Sequence, residues 1–243
     1  MSFQIIPAID LMRGRCVRLY KGSFKQKTEY SVSPAGQAKV FENEGADRIH
    51  LVDLDGARAG EPRNLKTIEK ICGSVKIPVE VGGGIRSIES AEKLFAIGVE
   101  RIILGTLAVE QPELLGEFLE KFGKAKIVVG LDAREDGTKL ATRGWEGRTE
   151  LNVLDFAEKL EKMGVERIIY TDIARDGTLT FPNFDVNERL VATTKLKVIA
   201  SGGVTDLAHV EILRKIGCEG AILGKALYEG QISVSEIKEA LEK

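Results

Sequence analysis

The sequence predicts an α/β protein, a (β/α)8 or TIM barrel with a two-fold half-barrel repeat. Three observations predict it. Short β-branched runs alternate with longer amphipathic, charge-rich runs. Eight such units can be counted, and the second four repeat the first four at a nearly constant spacing. Strands alternating with helices form a parallel sheet with right-handed crossovers. Eight units are enough to close it, and the 243 residues suit a barrel of ~250. The whole chain, 1–243, is therefore expected to be one domain. An open doubly wound sheet is the competing arrangement of the same pattern.

In chain order, strands are expected at Gln4–Asp10, Arg48–Asp53, Pro78–Val81, Arg101–Leu104, Lys126–Asp132, Arg167–Thr171, Lys197–Ser201 and Gly220–Leu223. Each is a compact apolar run bounded by turn or polar residues, as strands covered on both faces require. Between them, Ser33 reads as an N-cap with Pro34 at the first helical position and Gly45 as the stop. Further helices are expected over Ser87–Ile97 before Gly98, Leu151–Met163 before Gly164, and Asp206–Ile216 before Gly217. The stretch from Arg13-Gly14-Arg15 to Lys21-Gly22-Ser23 reads as a long basic loop, either a lid that closes over phosphates or simply solvated.

The repeat is the most informative feature. Gly45 and Gly164, Asp53 and Asp172, Gly84 and Gly203, and Gly105 and Gly224 all pair at a shift of 119. The first strands of the two halves, IIPAIDLMR and IVVGLDARE, pair Asp10 with Asp132 at a shift of 122. Two half-barrels closing on each other explain both.

Composition excludes several functions. The net charge is −2 with both signs mixed, so nucleic acid is not an expected partner. No run of ~18 apolar residues is present to span a membrane, and residues 3–9 are too few for a signal segment. The expected location is the cytoplasm, with Cys16, Cys72 and Cys218 reduced. His50 and His209 belong to no ligand motif, so no metal site is expected. Neither G-x-G-x-x-G nor a P-loop occurs, which leaves dinucleotide and ATP binding unsupported.

In a barrel, function sits where strands hand over to the following loops. Gly82-Gly83-Gly84-Ile85 and Ser201-Gly202-Gly203-Val204 follow the third and seventh strands. Leu104-Gly105-Thr106 and Leu223-Gly224-Lys225 follow the fourth and eighth. Glycine lets backbone N–H groups approach an anion, and a helix start favours negative charge. The repeat doubles the usual phosphate site and implies a substrate with a phosphate at each end. Arg86 adds a charged donor. Tight turns are the plainer reading of the same glycines.

Asp10 and Asp132 end opposite strands between these two sites and read as acid and base, or singly as helix caps. Thr171, after the sixth strand, is expected to bond a substrate hydroxyl or orient a carboxylate. Asp176 is a turn residue or the acid, and Asp53 and Asp172 are expected to be structural or ligand-orienting. Trp145, the only tryptophan, lies in a glycine-flanked segment; it packs in the core or stacks on a flat heterocycle.

With these residues in view, the chain resembles the histidine-biosynthesis isomerases that act on phosphoribosylformimino-aminoimidazole carboxamide ribotide. The resemblance covers essentially the whole chain, through PAIDLMRGRCVRLYKG (7–22), HLVDLDGA (50–57), VGGGIRS (81–87), GLDAR (130–134), RGWEG (143–147), TDIARDGTL (171–179), SGGV (201–204) and LGKALYEG (223–230). It implies a cofactor-free Amadori rearrangement of a small-molecule bisphosphate. Independently of the resemblance, a monomer is the expected state. The resemblance makes Asp10 the base, Asp132 or Asp176 the acid, Thr171 a supporting group and Trp145 the stacking surface. Gly22 would close on the substrate. Gly83, Gly84, Arg86, Gly105, Thr106, Gly202, Gly203, Gly224 and Lys225 would take the phosphates. The sister cyclase of the next pathway step matches these motifs less well. Additional activity on phosphoribosylanthranilate and a non-catalytic phosphosugar-binding barrel are the alternatives.

Overall fold

A computed structural model describes residues 3–242. The first half contains β1 (Gln4–Met12), β2 (Arg15–Tyr20), β3 (Ser23–Tyr30), α1 (Pro34–Asn43), β4 (Ile49–Asp53), α2 (Leu54–Ala59), α3 (Leu65–Ser74), β5 (Val79–Gly82), α4 (Ile88–Ala96), β6 (Arg101–Leu104), α5 (Thr106–Glu110) and α6 (Pro112–Phe122). The second contains β7 (Ile127–Arg134), β8 (Lys139–Thr142), β9 (Gly147–Asn152), α7 (Val153–Lys162), β10 (Arg167–Asp172), α8 (Phe184–Thr193), β11 (Lys197–Ser201), α9 (Leu207–Ile216), β12 (Gly220–Leu223), α10 (Lys225–Tyr228) and α11 (Val234–Leu241).

Strands β1, β4, β5, β6, β7, β10, β11 and β12 pair in parallel around a ring. The β7–β10 and β12–β1 pairings close it, so the barrel has no free edge and the open sheet is excluded. Inward-facing Ile6, Ala8, Val128, Ile169, Ile199 and Ile222 fill the interior. A larger apolar layer, including Leu51, Ile68, Leu94, Phe118 and Leu213, joins the strands to the helices.

The repeat extends to the register. His50 pairs with Glu80 as Ile169 pairs with Ile199, and Glu80 with Arg101 as Ile199 with Gly220. It extends also to polar anchors. The Asp53 carboxylate accepts from the backbone N–H of Gly56, Arg63 and Asn64 and from the Asn64 amide. Asp172 does the same work one repeat later, accepting from Ala174, Arg175 and the Asn183 amide. Both aspartates are buried loop anchors.

Two expectations need correction. The basic segment after the first strand is a β-hairpin, β2–β3. Arg13-Gly14 and Lys21-Gly22 both have positive φ, at 51° and 74° and at 48° and 69°, the two-residue turn that matches strand twist. Its counterpart β8–β9 carries Arg143-Gly144 at 55° and 63°. The helix expected from Leu151 begins at Val153 instead. Leu151 and Asn152 complete β9, and the Asn152 side chain caps the helix by accepting from the Leu154 N–H at 2.8 Å.

Candidate active site

Residues from all eight barrel strands or their ends line one cavity at the C-terminal face. It is built around three carboxyls. Asp10 lies on β1, and the β1–β2 register sets Val17 opposite it, which brings the next residue, Arg18, alongside. The Arg18 guanidinium donates to Asp10 Oδ1 at 2.9 Å, and both side chains are buried. Burial raises the Asp10 carboxyl above its ordinary range, only partly offset by the charges of Arg18 and His50. Asp132 on β7 sits opposite the buried Thr171 of β10. Burial raises its carboxyl too, opposed by hydrogen bonding from Trp145 and Thr171 and by His50.

Asp176 lies beyond β10. Burial pushes its carboxyl up to about 6, with the like charges of Asp10 and Asp132 adding to the effect and Arg18 and His50 opposing it. Of the three, Asp10 has an ion-pair partner and Asp132 has hydrogen-bond donors, while Asp176 has charge around it but no side-chain hydrogen bond among those of the cavity.

Two glycine cradles flank the carboxyls. Gly83 and Gly84, with Arg86, form one beside Gly105 and Thr106; Gly202 and Gly203 form the other beside Gly224 and Lys225. The turn reading of these glycines is correct as far as it goes. Gly83 has φ +106°, and a methyl there would fall 2.3 Å from the Asp53 carbonyl oxygen; at Gly202 (φ +85°) it would fall 2.9 Å from that of Asp172. The same backbone faces the cavity. Short α5 and α10 begin at Gly105 and Gly224 with no side-chain cap, so their first N–H groups are available to a ligand. The Lys225 ammonium donates to the Gly177 carbonyl at 3.3 Å, tying this cradle to the Asp176 loop. Arg86 is exposed, with its guanidinium packed over Gly60.

The two hairpin tips meet above the cavity. Trp145 is half-buried rather than in the core, and its ring covers Gly22 so closely that a methyl there would fall 2.0 Å from Cε3. Arg134 bonds the Trp145 carbonyl, and the Arg143 N–H donates to the Thr106 hydroxyl at 2.8 Å. The structure thus brings all the expected site residues to one cavity.

Sequence reading missed Arg18 and His50. Arg18 reaches from Asp10 to the second cradle, where a methyl on Gly224 would fall 1.7 Å from its Nη2. His50 lines the cavity floor and bonds buried Glu80 through Nδ1 at 2.9 Å. The alternation of the hairpin could have exposed Arg18; His50 opens the HLVDLDGA stretch (50–57), but nothing in that stretch alone sets it apart as a site residue. Among the described residues no three His, Cys, Asp or Glu side chains converge as metal ligands, and no helix is long and apolar enough to cross a membrane. The cysteines are free, and burial pushes Cys16 and Cys72 up to about 11 and Cys218 up to about 12.

A closed (β/α)8 barrel with half-barrel symmetry, two glycine cradles and clustered carboxyls at the C-terminal face has the architecture of a barrel enzyme. Residues 4–233 match the family described as histidine biosynthesis protein, and the chain belongs to that family. It is 48% identical to the 1-(5-phosphoribosyl)-5-((5-phosphoribosylamino)methylideneamino)imidazole-4-carboxamide isomerase of Dehalococcoides mccartyi (strain CBDB1), over 99% of this chain and 98% of that protein. It is 50% identical to the isomerase of the same name from Listeria monocytogenes serotype 4a (strain HCC23), over 97% of both chains. It is 49% identical to that of Bacillus cereus (strain Q1), over 97% of this chain and 98% of that protein.

Proposed function

We propose that this chain isomerises phosphoribosylformimino-aminoimidazole carboxamide ribotide, an aminoaldose with a phosphate at each end, to the corresponding aminoketose. The observation that carries the reading is the placement of three carboxyls between two repeat-related glycine cradles in one cavity. A substrate phosphorylated at both ends would be held across the mouth, with its reacting sugar over the carboxyls. The near full-length isomerase relatives support the same substrate.

The chemistry is an Amadori rearrangement. An acid gives a proton to the ribose ring oxygen as the ring C–O bond breaks, and the amine lone pair forms a protonated Schiff base. A base then removes the C2′ proton, and those electrons neutralise the iminium to give an enolamine. Its enol tautomerises to the ketone as C1′ gains a proton. Asp10 is the base, because Arg18 favours its ionised form. Asp176 is the acid, because burial raises its carboxyl to about 6 and, unlike Asp132, no side chain hydrogen-bonds its ionised form. Asp132 and Thr171 orient the substrate, and Trp145 stacks on its imidazole. In this reading the chain acts as one domain and as a monomer. The reaction belongs to the cytoplasm.

The test is steady-state turnover of the aminoaldose bisphosphate by the unmodified chain and by Asp10→Asn, Asp132→Asn and Asp176→Asn, with phosphoribosylanthranilate as a second substrate. Asp10→Asn and Asp176→Asn are each expected to lose roughly 10²–10⁴-fold in kcat. Binding without turnover by the unmodified chain would sink the reading.

A further inference from the structure

The barrel contains its own control for an unexplained buried pair. His50 and Glu80 face inward on neighbouring strands, and their repeat equivalents are Ile169 and Ile199, in the same register. The second half closes with hydrocarbon at both places, and Ile169 and Ile199 belong to the apolar interior. Closing the barrel therefore does not require the pair. Burying a carboxylate and an imidazole where two isoleucines fit is costly unless function repays it.

The geometry gives the pair a direction. Glu80 is fully buried and lies beneath the cavity, while His50 lines the floor. With Nδ1 held at 2.9 Å by Glu80, the ring leaves Nε2 for the cavity. Burial pushes the Glu80 carboxyl up, but hydrogen bonding and charge from His50, then Arg48 and Arg101, overcome this and hold it below the ordinary range. Glu80 is thus an anion that can orient the ring through Nδ1. On its cavity side His50 meets the fields of Asp10, Asp132 and Asp176, each of which its charge draws toward ionisation. Arg18, paired with Asp10, is a cation of the same cluster.

We propose that His50, oriented by Glu80, is a positioning residue for the reaction, setting how charge is shared among the three cavity carboxyls. This rests on the isomerase reading for its kinetic consequence, though its electrostatic content does not. Replacing the imidazole removes its favourable field at the carboxyls, which become harder to ionise, so the base is lost at a higher pH. In His50→Gln the acidic limb of the kcat/KM profile is expected to move up by about 0.5–1 unit. Activity would then fall more at pH 5.5 than at pH 8. His50→Ile, which installs the side chain found at Ile169, should fold and shift the limb the same way. Glu80→Gln should shift it in the same direction by a smaller amount.

The deciding measurement pairs these profiles with carboxyl titrations of ¹³C-labelled aspartate in the unmodified chain and both His50 variants. Higher titration midpoints in folded variants, with the matching limb shift, support the proposal. Unchanged midpoints and a uniform loss of rate with melting temperature overturn it, leaving a packing role. If the unmodified chain turns over nothing, the isomerase reading fails, and the carboxyl titrations alone decide whether His50 sets the charge.

Discussion

At Asp176 the needs of chemistry and of folding pull in opposite directions. A carboxyl pushed up to about 6 in the folded chain, against an ordinary 3.8, binds its proton more tightly folded than unfolded. Between those two values the unfolded state holds fewer protons, so this group lowers stability as pH rises. The penalty is complete above about pH 6 and absent below about pH 4. Asp176→Asn is therefore expected to raise the melting temperature by roughly 2–6 °C at pH 8, while losing turnover. Thermal melts at pH 8 and pH 4 check this; an equal gain at both would show that charge is not the cause. Asp53 serves the fold instead. It is buried and accepts hydrogen bonds from three backbone N–H groups and an amide. Asp53→Ala should cost at least about 2 kcal/mol, read as a lower urea midpoint.

The hairpins are the elements that sequence reading handled least well, and the reason is physical. Barrel strands are buried on both faces and show as apolar runs, so all eight were legible within a residue or two. Helices showed through their stops at Gly45, Gly98, Gly164 and Gly217. A hairpin half in solvent carries alternating polarity, and β3 is largely exposed. Its signals were the Arg13-Gly14 and Lys21-Gly22 turns, weaker than Asn-Gly. Missing the hairpin meant missing Arg18, whose place beside Asp10 follows from the β1–β2 register. His50 was hidden for another reason: only strand pairing shows that it meets Glu80. Contact between the hairpin tips gives an element-scale test. At Gly22, with φ +69°, a methyl would fall 2.0 Å from the Trp145 ring. Gly22→Ala should push the tips apart and raise KM severalfold. Because Trp145 is the only tryptophan, its emission should shift to the red, reporting a wetter ring. Unchanged emission would mean that the tips do not touch in solution.

For the whole molecule, symmetry separates what the barrel needs from what the site needs. Features that occur in both halves, such as the Asp53 and Asp172 anchors, are explained by a common architecture, and the paired glycine cradles also by a substrate with two similar ends. Features found in one half, such as Arg18, His50 and Glu80, call for a cause specific to that half. A buried ion pair gives the sharpest contrast, because it repeats in partners but not in environment. Arg48 pairs with Glu100 at 3.0 Å, and Arg167 with Glu219, both at the repeat spacing. The Glu219 side chain is 6% exposed and that of Glu100 48%. Each glutamate accepts two hydrogen bonds from its arginine, so the contact itself is repeated. Arg48 has a second carboxylate, Glu80, at 3.6 Å. Removing one member of a buried pair leaves an uncompensated charge, at about 3–5 kcal/mol; removing an exposed one costs about 0–1 kcal/mol. Glu219→Gln should therefore lower the urea midpoint far more than Glu100→Gln, although the two sites are copies of one another in sequence spacing. Equal losses would mean that environment matters less than the repeated contact. A large loss at Glu219 alone would show that the two halves share a blueprint but carry unequal electrostatic loads.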